Sequence, residues 1–330
     1  MNIENQQKAD GDCGIRRKHS RPLFAALLLC AGAIQAQEAV PTAIPGVVEA
    51  GTRIEFIRDG FKGTEGPVRL PDGSVIFTET QDSRITRIAA DGSVSTYLEN
   101  SNGSNGLGFS AYGELVSVQN REPRVGVIAP ADKVRTLADS YEGVSFGRPN
   151  DIVVGRRAGI FFTDSGAAQK PDQPPVGKPA VYQITPGGAL KRIANDIERP
   201  NGVQLSPDEK VLYVANTPGE YIIAYDLGND GSIGQRRNFA KLAGYTKTDN
   251  GYSSGADGLA VDEKGRLYAT SNAGIEVFSA KGEALGIIPT PKKPQNIAFA
   301  GKDKKTLYVV GRGSAYRIAL LTPGFAGRAK

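Results

Sequence analysis

The chain has 330 residues, with 40 Lys and Arg against 35 Asp and Glu and a formal net charge of +5 at pH 7. Its one His, two Cys and one Met all lie within the first 30 residues, so residues 37–330 contain no His, Cys, Met or Trp. That part of the chain cannot form a disulfide, a Ser-His-Asp triad, a catalytic Cys or a His/Cys zinc site. It also has no dense basic run, which disfavours nucleic acid as a partner.

Residues 1–36 have the pattern of a secretory signal peptide. Four basic residues come first: Arg16, Arg17, Lys18 and Arg21. An apolar run from Leu23 to Ile34 follows, and small residues after it allow cleavage after Ala33 or Ala36. The run is too short for a membrane span. We therefore expect a periplasmic or secreted protein.

The rest of the chain repeats one hairpin pattern six times. Each copy opens on a side chain with an oxygen, continues as a short apolar strand, turns, and returns as a second strand. The opening residues are Glu65, Asn105, Asn150, Asn201, Asp257 and Gln295, which are 38 to 56 residues apart. A third strand-like run follows each hairpin, and a fourth follows the first five. Repeats of this length with β character are typical of propeller blades. A β-sandwich with chance self-similarity is disfavoured by six copies in one register.

The sixth copy lacks a fourth strand, and Arg53–Ile57 can supply it from the other end of the repeat. We therefore predict an all-β fold, a six-bladed β-propeller of four-stranded antiparallel blades, over residues 53–320. It forms one domain because single blades cannot bury their faces alone. Residues 37–52 are predicted to be an extended leader and residues 321–330 a C-terminal tail. Insertions at 167–179 and 241–255 are predicted to cover one rim of the propeller.

The six opening residues predict a cation site. The first strand of each propeller blade lines the central channel, so equivalent residues form a ring around the axis. Two carboxylates among amide oxygens suit calcium first, then magnesium or manganese. Any one copy alone would be interpreted as an Asn-Gly or Asp-Gly turn, but that does not account for six oxygen-bearing residues in register.

Several motifs together resemble a known family. They are Glu65-Gly66-Pro67, Arg148-Pro149-Asn150-Asp151, Phe162-Thr163-Asp164, Arg199-Pro200-Asn201-Gly202-Val203, Ala256-Asp257-Gly258 and Gln295-Asn296-Ile297-Ala298-Phe299. The chain resembles gluconolactonase, regucalcin (senescence marker protein) and diisopropyl fluorophosphatase, which are calcium-dependent six-bladed propellers, and is most similar to the bacterial gluconolactonases.

This resemblance implies a metal site with Glu65, Asn201 and Asp257 as ligands. The residue matching Asn150 is a ligand in some members and a substrate contact in others, and Arg148 matches a substrate contact. We expect Asn150 to join the metal ligands. One divalent cation is expected, Ca²⁺ first, with Mg²⁺, Mn²⁺ or Zn²⁺ as alternatives. Further residues near the site are predicted to contact substrate or to support the ligands: Asn105, Asp151, Asp164, Asn216 and Gln295.

Two departures from the bacterial gluconolactonases lie on the substrate side. Their His-Gly-Asn-Arg-Arg-like stretch is Gln119–Arg124 here, without His, and their Thr-Asp-Pro is Thr163-Asp164-Ser165. We expect a lactone to be opened by water, with the metal polarising its carbonyl and Asp257 as the base, while Glu65 remains a structural ligand. Arg148 would place positive charge beside the substrate.

A small-molecule lactone is the expected partner, with no obligate protein partner. The main alternative function is a non-catalytic periplasmic propeller that binds a sugar or another ligand. A scaffold propeller is a third interpretation, but the rim motifs are rich in oxygen rather than in exposed aromatic residues. A quinone-dependent sugar dehydrogenase is disfavoured because residues 37–330 lack His and Trp.

Overall fold

The structure is a computed structural model that describes residues 40–172, 174–228, 232–328 and 330. The predicted signal peptide, residues 1–36, lies outside the described residues. Within them the regular structure is β-strand apart from one short 3₁₀ turn, Ala131–Lys133. None of the described helices is long and apolar enough to cross a membrane.

Six four-stranded antiparallel sheets follow one another along the chain. A first strand, β1 (Ile54–Asp59), precedes them. Blade 1 contains β2 (Thr64–Arg69), β3 (Val75–Glu79), β4 (Arg84–Ile88) and β5 (Val94–Leu98). Blade 2 contains β6 (Ser104–Phe109), β7 (Leu115–Gln119), β8 (Arg124–Ala129) and β9 (Arg135–Ala138). A hairpin of β10 (Ser140–Tyr141) and β11 (Val144–Ser145) then leads to blade 3, which contains β12 (Pro149–Val154), β13 (Ile160–Asp164), β14 (Ala180–Ile184) and β15 (Leu190–Ala194).

The remaining blades follow the same order. Blade 4 contains β16 (Pro200–Leu205), β17 (Val211–Asn216), β18 (Tyr221–Leu227) and β19 (Ile233–Lys241). After a hairpin of β20 (Thr246–Thr248) and β21 (Gly251–Ser253), blade 5 contains β22 (Leu259–Val261), β23 (Leu267–Ser271), β24 (Gly274–Phe278) and β25 (Ala284–Ile288). Blade 6 contains β26 (Asn296–Ala300), β27 (Thr306–Gly311) and β28 (Ser314–Ala319). The predicted six-bladed propeller is confirmed.

The ring of blades closes through β1. This strand pairs antiparallel with β28, from Ile54 opposite Ile318 to Asp59 opposite Ser314, and it is the fourth strand of blade 6. The predicted closure by the strand that precedes the first copy is therefore correct. Pairing the two ends of the repeat in one sheet removes the exposed edge that an open array would leave.

Apolar side chains between neighbouring blades form the core. The largest group spans blades 5 and 6, where Tyr268 and Phe299 meet edge to face with ring centres 5.1 Å apart. Residues 40–52 add to this group, because Ile44, Val47 and Val48 are almost fully buried in it. The hydrophobic burial that stabilises the fold is thus spread around the ring rather than gathered in one centre.

Connections at one end of the blades are longer than at the other. The β10–β11 hairpin, residues 165–179 and the β20–β21 hairpin all leave from the end where the first strands begin. On the β20–β21 hairpin, Tyr252 is 61% exposed and stands against Tyr245 with ring centres 5.5 Å apart. This end carries the rim that surrounds the predicted site.

A threonine near the end of a second strand ties several blades to the next one. We call the six opening residues of the repeat the ring residues. The threonine hydroxyl donates to the backbone carbonyl of the ring residue in the following blade, from Thr78 to Asn105 at 3.0 Å and from Thr270 to Gln295 at 3.0 Å. Thr163 donates to Asn201 O at 2.6 Å and also accepts from the backbone N–H of Asp151 at 3.1 Å. These bonds fix the position of each ring residue along the propeller axis relative to the neighbouring blade.

We predict that Thr163→Val lowers the free energy of unfolding by about 2 kcal/mol or more, because it leaves a buried carbonyl and a buried N–H unpaired. Urea unfolding followed by circular dichroism measures the change. Thr163→Ser should recover most of the loss, and Thr96→Val, at an exposed position, should stay within about 0.5 kcal/mol of wild type. Equal stability of the Thr163→Val and Thr96→Val proteins would contradict this role.

Candidate metal centre

The ring residues sit where the first strands of four blades break their regular pairing. Register shifts fall between Glu65 and Val68 in β2, at 104–107 in β6, at 149–152 in β12 and at 200–203 in β16. Such bulges bend a strand and redirect side chains, and they are frequent next to active sites. The repeated bulge accounts for the ring residues leaving the sheet pattern at the same position in each of these blades.

The glycine after the ring residue allows adjacent blades to touch. A methyl group built on Gly202 would lie 2.1 Å from Asp257 O, and one on Gly66 would lie 2.1 Å from Asn105 O. On Gly258 it would lie 2.2 Å from the side-chain oxygen of Asn296. Gly202 and Gly258 do not have a left-handed backbone, so close approach rather than a turn requires glycine there. Ring residues of consecutive blades are therefore neighbours.

Three ring oxygens are buried and accept no hydrogen bond: Asn105 Oδ1, Asn201 Oδ1 and Asp257 Oδ1. The orientation of Asn201 is set by its amide nitrogen, which donates to Thr217 Oγ1 at 3.0 Å. Buried acceptors normally have a partner, and leaving one unpaired costs about 1–3 kcal/mol. The donor set that remains here, amide and carboxylate oxygens, is the set that hard divalent cations prefer. The predicted ligands therefore fit such an ion.

Glu65 and Asp257 are buried close enough to influence each other. Burial raises the pKa of Glu65 to about 7, against an opposing hydrogen bond from Asn296. Burial, and next the charge of Glu65, raise the pKa of Asp257 well above its usual range. Glu65 accepts 3.2 Å hydrogen bonds from both Gln295 Nε2 and Asn296 Nδ2, whereas Asp257 Oδ1 has no donor.

Asn150 is also buried, at 9% exposure, compared with 8% for Glu65 and for Asn201. Among the residues that the structure describes, no three His, Cys, Asp or Glu side chains are grouped as metal ligands. The candidate site has two carboxylates, Glu65 and Asp257, and depends on amide oxygens for the rest. That composition distinguishes it from a site made mainly of carboxylates.

Asp151 pairs with a lysine from the far end of the chain. Lys330 Nζ lies 2.8 Å and 2.7 Å from the two carboxylate oxygens of Asp151, and both side chains are at most 4% exposed. The charge of Lys330 also acts to lower the pKa values of Glu65 and Asp257. The tail thus places an ammonium group inside the channel, below the ring. Sequence reasoning missed this residue, since nothing near Lys330 in the chain marks it.

Asp164 and Asn216 hold the loops that lead into the ring rather than the ring itself. Asp164 is buried, which raises its pKa, and it accepts from the backbone N–H groups of Gly147 at 2.7 Å and Arg148 at 2.6 Å. Asn216 Oδ1 accepts from the N–H of Arg199 at 3.1 Å. Both residues end a second strand, and each fixes the Arg that stands two residues before a ring Asn.

In blade 2, the stretch Gln119–Arg124, which lacks the histidine of the bacterial gluconolactonases, also anchors a loop. Gln119 ends β7, and its side-chain oxygen accepts from Arg124 Nε at 3.0 Å and from Asn102 Nδ2 at 2.9 Å. Gln119 is 3% exposed. It therefore anchors the rim internally, and its side chain does not face the open mouth.

Positive charge surrounds the mouth of the channel. Arg148 and Arg199 are exposed and line a shared depression of about 250 Å³. Lys293 donates to Asn272 Oδ1 at 2.5 Å, and burial together with the nearby Arg312 lowers its pKa. Its charge acts to lower the pKa of Asp257. Arg199 and Lys293 were not predicted as site residues from the sequence, although Arg199 begins the same Arg-Pro-Asn motif as Arg148.

A larger cavity, about 650 Å³, lies elsewhere. It is lined by Ala158, Gln183 and Glu209 among others, at the turns of blades 3 and 4 on the face opposite the ring. Its size alone assigns no chemistry to it. The unpaired oxygens and buried carboxylates are found at the ring, so we place the candidate site there.

A protein-family model described as the SMP-30/gluconolactonase/LRE-like region matches residues 63–312. The chain belongs to this family. A gluconolactonase of Zymomonas mobilis is 28% identical over 306 residues, which cover 85% of each chain. A solved gluconolactonase of Xanthomonas campestris superposes with a TM-score of 0.73 at 27% identity, covering 86% of this chain and 94% of the other.

A more distant solved structure shares the fold. A regucalcin of Agrobacterium tumefaciens, described as a calcium-binding protein, superposes with a TM-score of 0.67 at 16% identity and covers 83% of this chain and 95% of its own. The matched region, residues 63–312, includes all six ring residues as well as Arg148 and Arg199. It ends before Lys330, so the channel ammonium lies outside the part that defines the family.

We predict that Gly202→Ala disrupts the ring, because the added methyl group meets the backbone of Asp257 rather than a side chain that could move. The expected result is a loss of stability of several kcal/mol together with weakened divalent-cation binding, measured by urea unfolding and calorimetry. Gly187→Ala is the control, since its methyl group would meet nothing closer than 3.9 Å. A Gly202→Ala protein with wild-type stability and cation affinity would show that the close approach has no such role.

Proposed function

We propose that the protein is a metal-dependent lactonase that opens a sugar-type lactone with water to give the hydroxy acid. The observation that carries the proposal is the set of three buried, unpaired acceptor oxygens of Asn105, Asn201 and Asp257 at the mouth of the channel. The family's named gluconolactonases support the substrate class. Calcium is the proposed ion, because the donors are carboxylate and amide oxygens without nitrogen or sulfur.

Glu65, Asn150, Asn201 and Asp257 are proposed to hold the ion, and the unpaired oxygen of Asn105 is a further candidate ligand. When bound, a divalent cation supplies an electrophile for the lactone carbonyl and stabilises the negative charge that develops on its oxygen. Glu65 is already held by two amide donors, from Gln295 and Asn296, so its position is fixed before any ion enters. It therefore suits a structural ligand.

Asp257 is proposed as the general base. Its Oδ1 has no donor, and burial makes the carboxylate more basic than usual. It removes a proton from water as the oxygen of that water adds to the carbonyl carbon. The ring C–O bond then breaks, and the leaving alkoxide takes a proton back from Asp257, so atoms and charge balance.

Arg148 and Arg199 are proposed to bind the substrate. Asp164 and Asn216 fix their backbone positions, while their guanidinium groups remain exposed at the depression beside the mouth. Guanidinium groups suit sugar hydroxyls and the carboxylate that forms during the reaction. Lys293 adds a further positive charge on the side of Asp257.

Asp257→Asn should lower kcat by roughly the hundred- to ten-thousand-fold expected for the loss of a general base, while cation affinity falls less, because an oxygen ligand is kept. The assay is pH-stat titration on a panel of sugar lactones at mildly acidic pH, compared with a metal-stripped sample because such lactones also open spontaneously. Asp249→Asn, on the exposed rim hairpin, is the matched control and should leave kcat unchanged.

Other results would redirect the proposal. If Asp257→Asn loses only cation affinity, Asp257 is a ligand and the base is Glu65 or Asp164. If the wild-type protein opens no lactone faster than the metal-stripped sample yet binds a sugar or sugar acid, it is a binding propeller.

Calcium should raise Tm more at pH 7.5 than at pH 5. The pKa of Glu65 in the folded protein is about 7, above its ordinary value of 4.5. The stability that this raised pKa contributes is present below about pH 4.5 and is lost as the pH rises towards 7. A bound cation favours the carboxylate and offsets that loss. Calorimetry with calcium or with chelator tests this, and an equal shift at both pH values would contradict it.

A further inference from the structure

A second charged cavity lies on the face of the propeller opposite the ring. Its volume is about 370 Å³, and it is bounded by the first hairpins of blades 1 to 3 and by residues 326–328 of the tail. Four cationic side chains line it: Arg69, Arg156, Lys304 and Arg328. None of the described residues that line it is acidic. This concentration of one charge distinguishes the cavity from the mixed surface around it.

Neutral carbonyl groups hold three of these cations. Lys304 Nζ donates to Phe325 O at 2.6 Å and to Arg328 O. Arg69 Nε donates to Gly301 O at 3.0 Å. Arg328 Nη2 donates to the carbonyls of Leu205 and of Ser206, the latter at 3.1 Å. Carbonyl groups orient a cation but do not cancel its charge, so the cavity remains positive.

The carboxylate that is ion-paired with two of these cations, Glu209, already accepts hydrogen bonds from other donors. Glu209 lies 3.6 Å from Arg328 and 3.7 Å from Arg156. Its two oxygens also accept three backbone N–H groups, from residues 156, 157 and 158, at 2.7 to 3.1 Å. Glu209 therefore fixes the hairpin of blade 3 and offsets only part of the charge of the four cations.

The charge of Arg328 is enclosed and only partly compensated. The residue is 8% exposed, its guanidinium carbon lies 4.8 Å from the centre of the Phe325 ring, and its Nη1 atom has Glu209 as an ion-pair partner but no hydrogen bond. Burial together with the neighbouring cations lowers the pKa of Lys304 to about 8, as expected where positive charge is incompletely compensated. A cluster of buried cations whose charge is only partly paired is costly unless an anion occupies the adjoining space.

We propose that this cavity binds the phosphoryl group of a small phosphate monoester. A phosphate offers two negative charges and several acceptor oxygens, which matches the four cations clustered around the cavity. The volume exceeds what a lone phosphate needs, and Phe109 and Val154 provide an apolar wall for the attached group. The site is separate from the ring, and its existence does not depend on the lactonase proposal.

Isothermal titration calorimetry at 150 mM NaCl tests the proposal, with inorganic phosphate and glucose 6-phosphate as probes. We expect saturable binding of both, tighter for the ester, and at least tenfold weaker binding in Arg328→Gln and in Arg69→Gln. Arg69→Gln guards against the first variant failing to fold, because Arg69 is only partly buried. Arg236→Gln, on an exposed edge strand, is the charge-matched control and should bind as wild type does.

Two results would overturn the proposal: no saturable binding of either probe at 10 mM, or equal weakening in Arg69→Gln and Arg236→Gln. Binding of inorganic phosphate with no gain for the ester would confirm the oxyanion site and overturn the ester as its ligand. Lactone turnover in the same variants distinguishes this site from the ring, since neither substitution touches a ring residue.

Discussion

The structure depends on how closely six first strands approach one axis. At Gly202 the next blade's backbone comes within 2.1 Å of where a methyl group would be, and Gly66 has an equally close neighbour. No other residue allows this contact without movement of the backbone. Close approach brings the ring residues of consecutive blades together. The placing of the candidate site therefore depends on this packing constraint.

Burying the carboxylates of Asp151, Glu65 and Asp257 near one another has an electrostatic cost, and the three groups differ in the partners that offset it. Asp151 receives a permanent partner, the ammonium group of Lys330 at 2.7 Å. Glu65 receives only neutral amide donors, and Asp257 Oδ1 receives none. Removing one partner of a buried ion pair costs about 3–5 kcal/mol, so these groups are not equivalent in stability. Asp151 thus has an ion-pair partner of its own, whereas Glu65 and Asp257 have none among the described residues.

The sequence was sufficient to predict the elements that repeat. Six oxygen-bearing openings predicted the number of blades, and the missing strand of the last copy predicted that β1 closes the ring. Features that occur once were not predictable. Lys330 lies eleven residues beyond the last strand, and its place inside the channel depends on contacts across the whole propeller. Asp164 and Asn216 were assigned to the site region, but only the structure distinguishes loop anchors from side chains that face the mouth.

The path of the tail has a kinetic consequence. Segment 321–328 crosses the face opposite the ring, where Phe325 N–H donates to Val261 O and Gly324 N–H to Lys304 O, and Lys330 fills the channel behind the ring. The tail therefore covers the face opposite the ring and places a charged side chain behind it. If a cation binds at the ring as proposed, a larger ligand bound above it would hinder its departure. Exchange of the ion should thus be slower while such a ligand is bound.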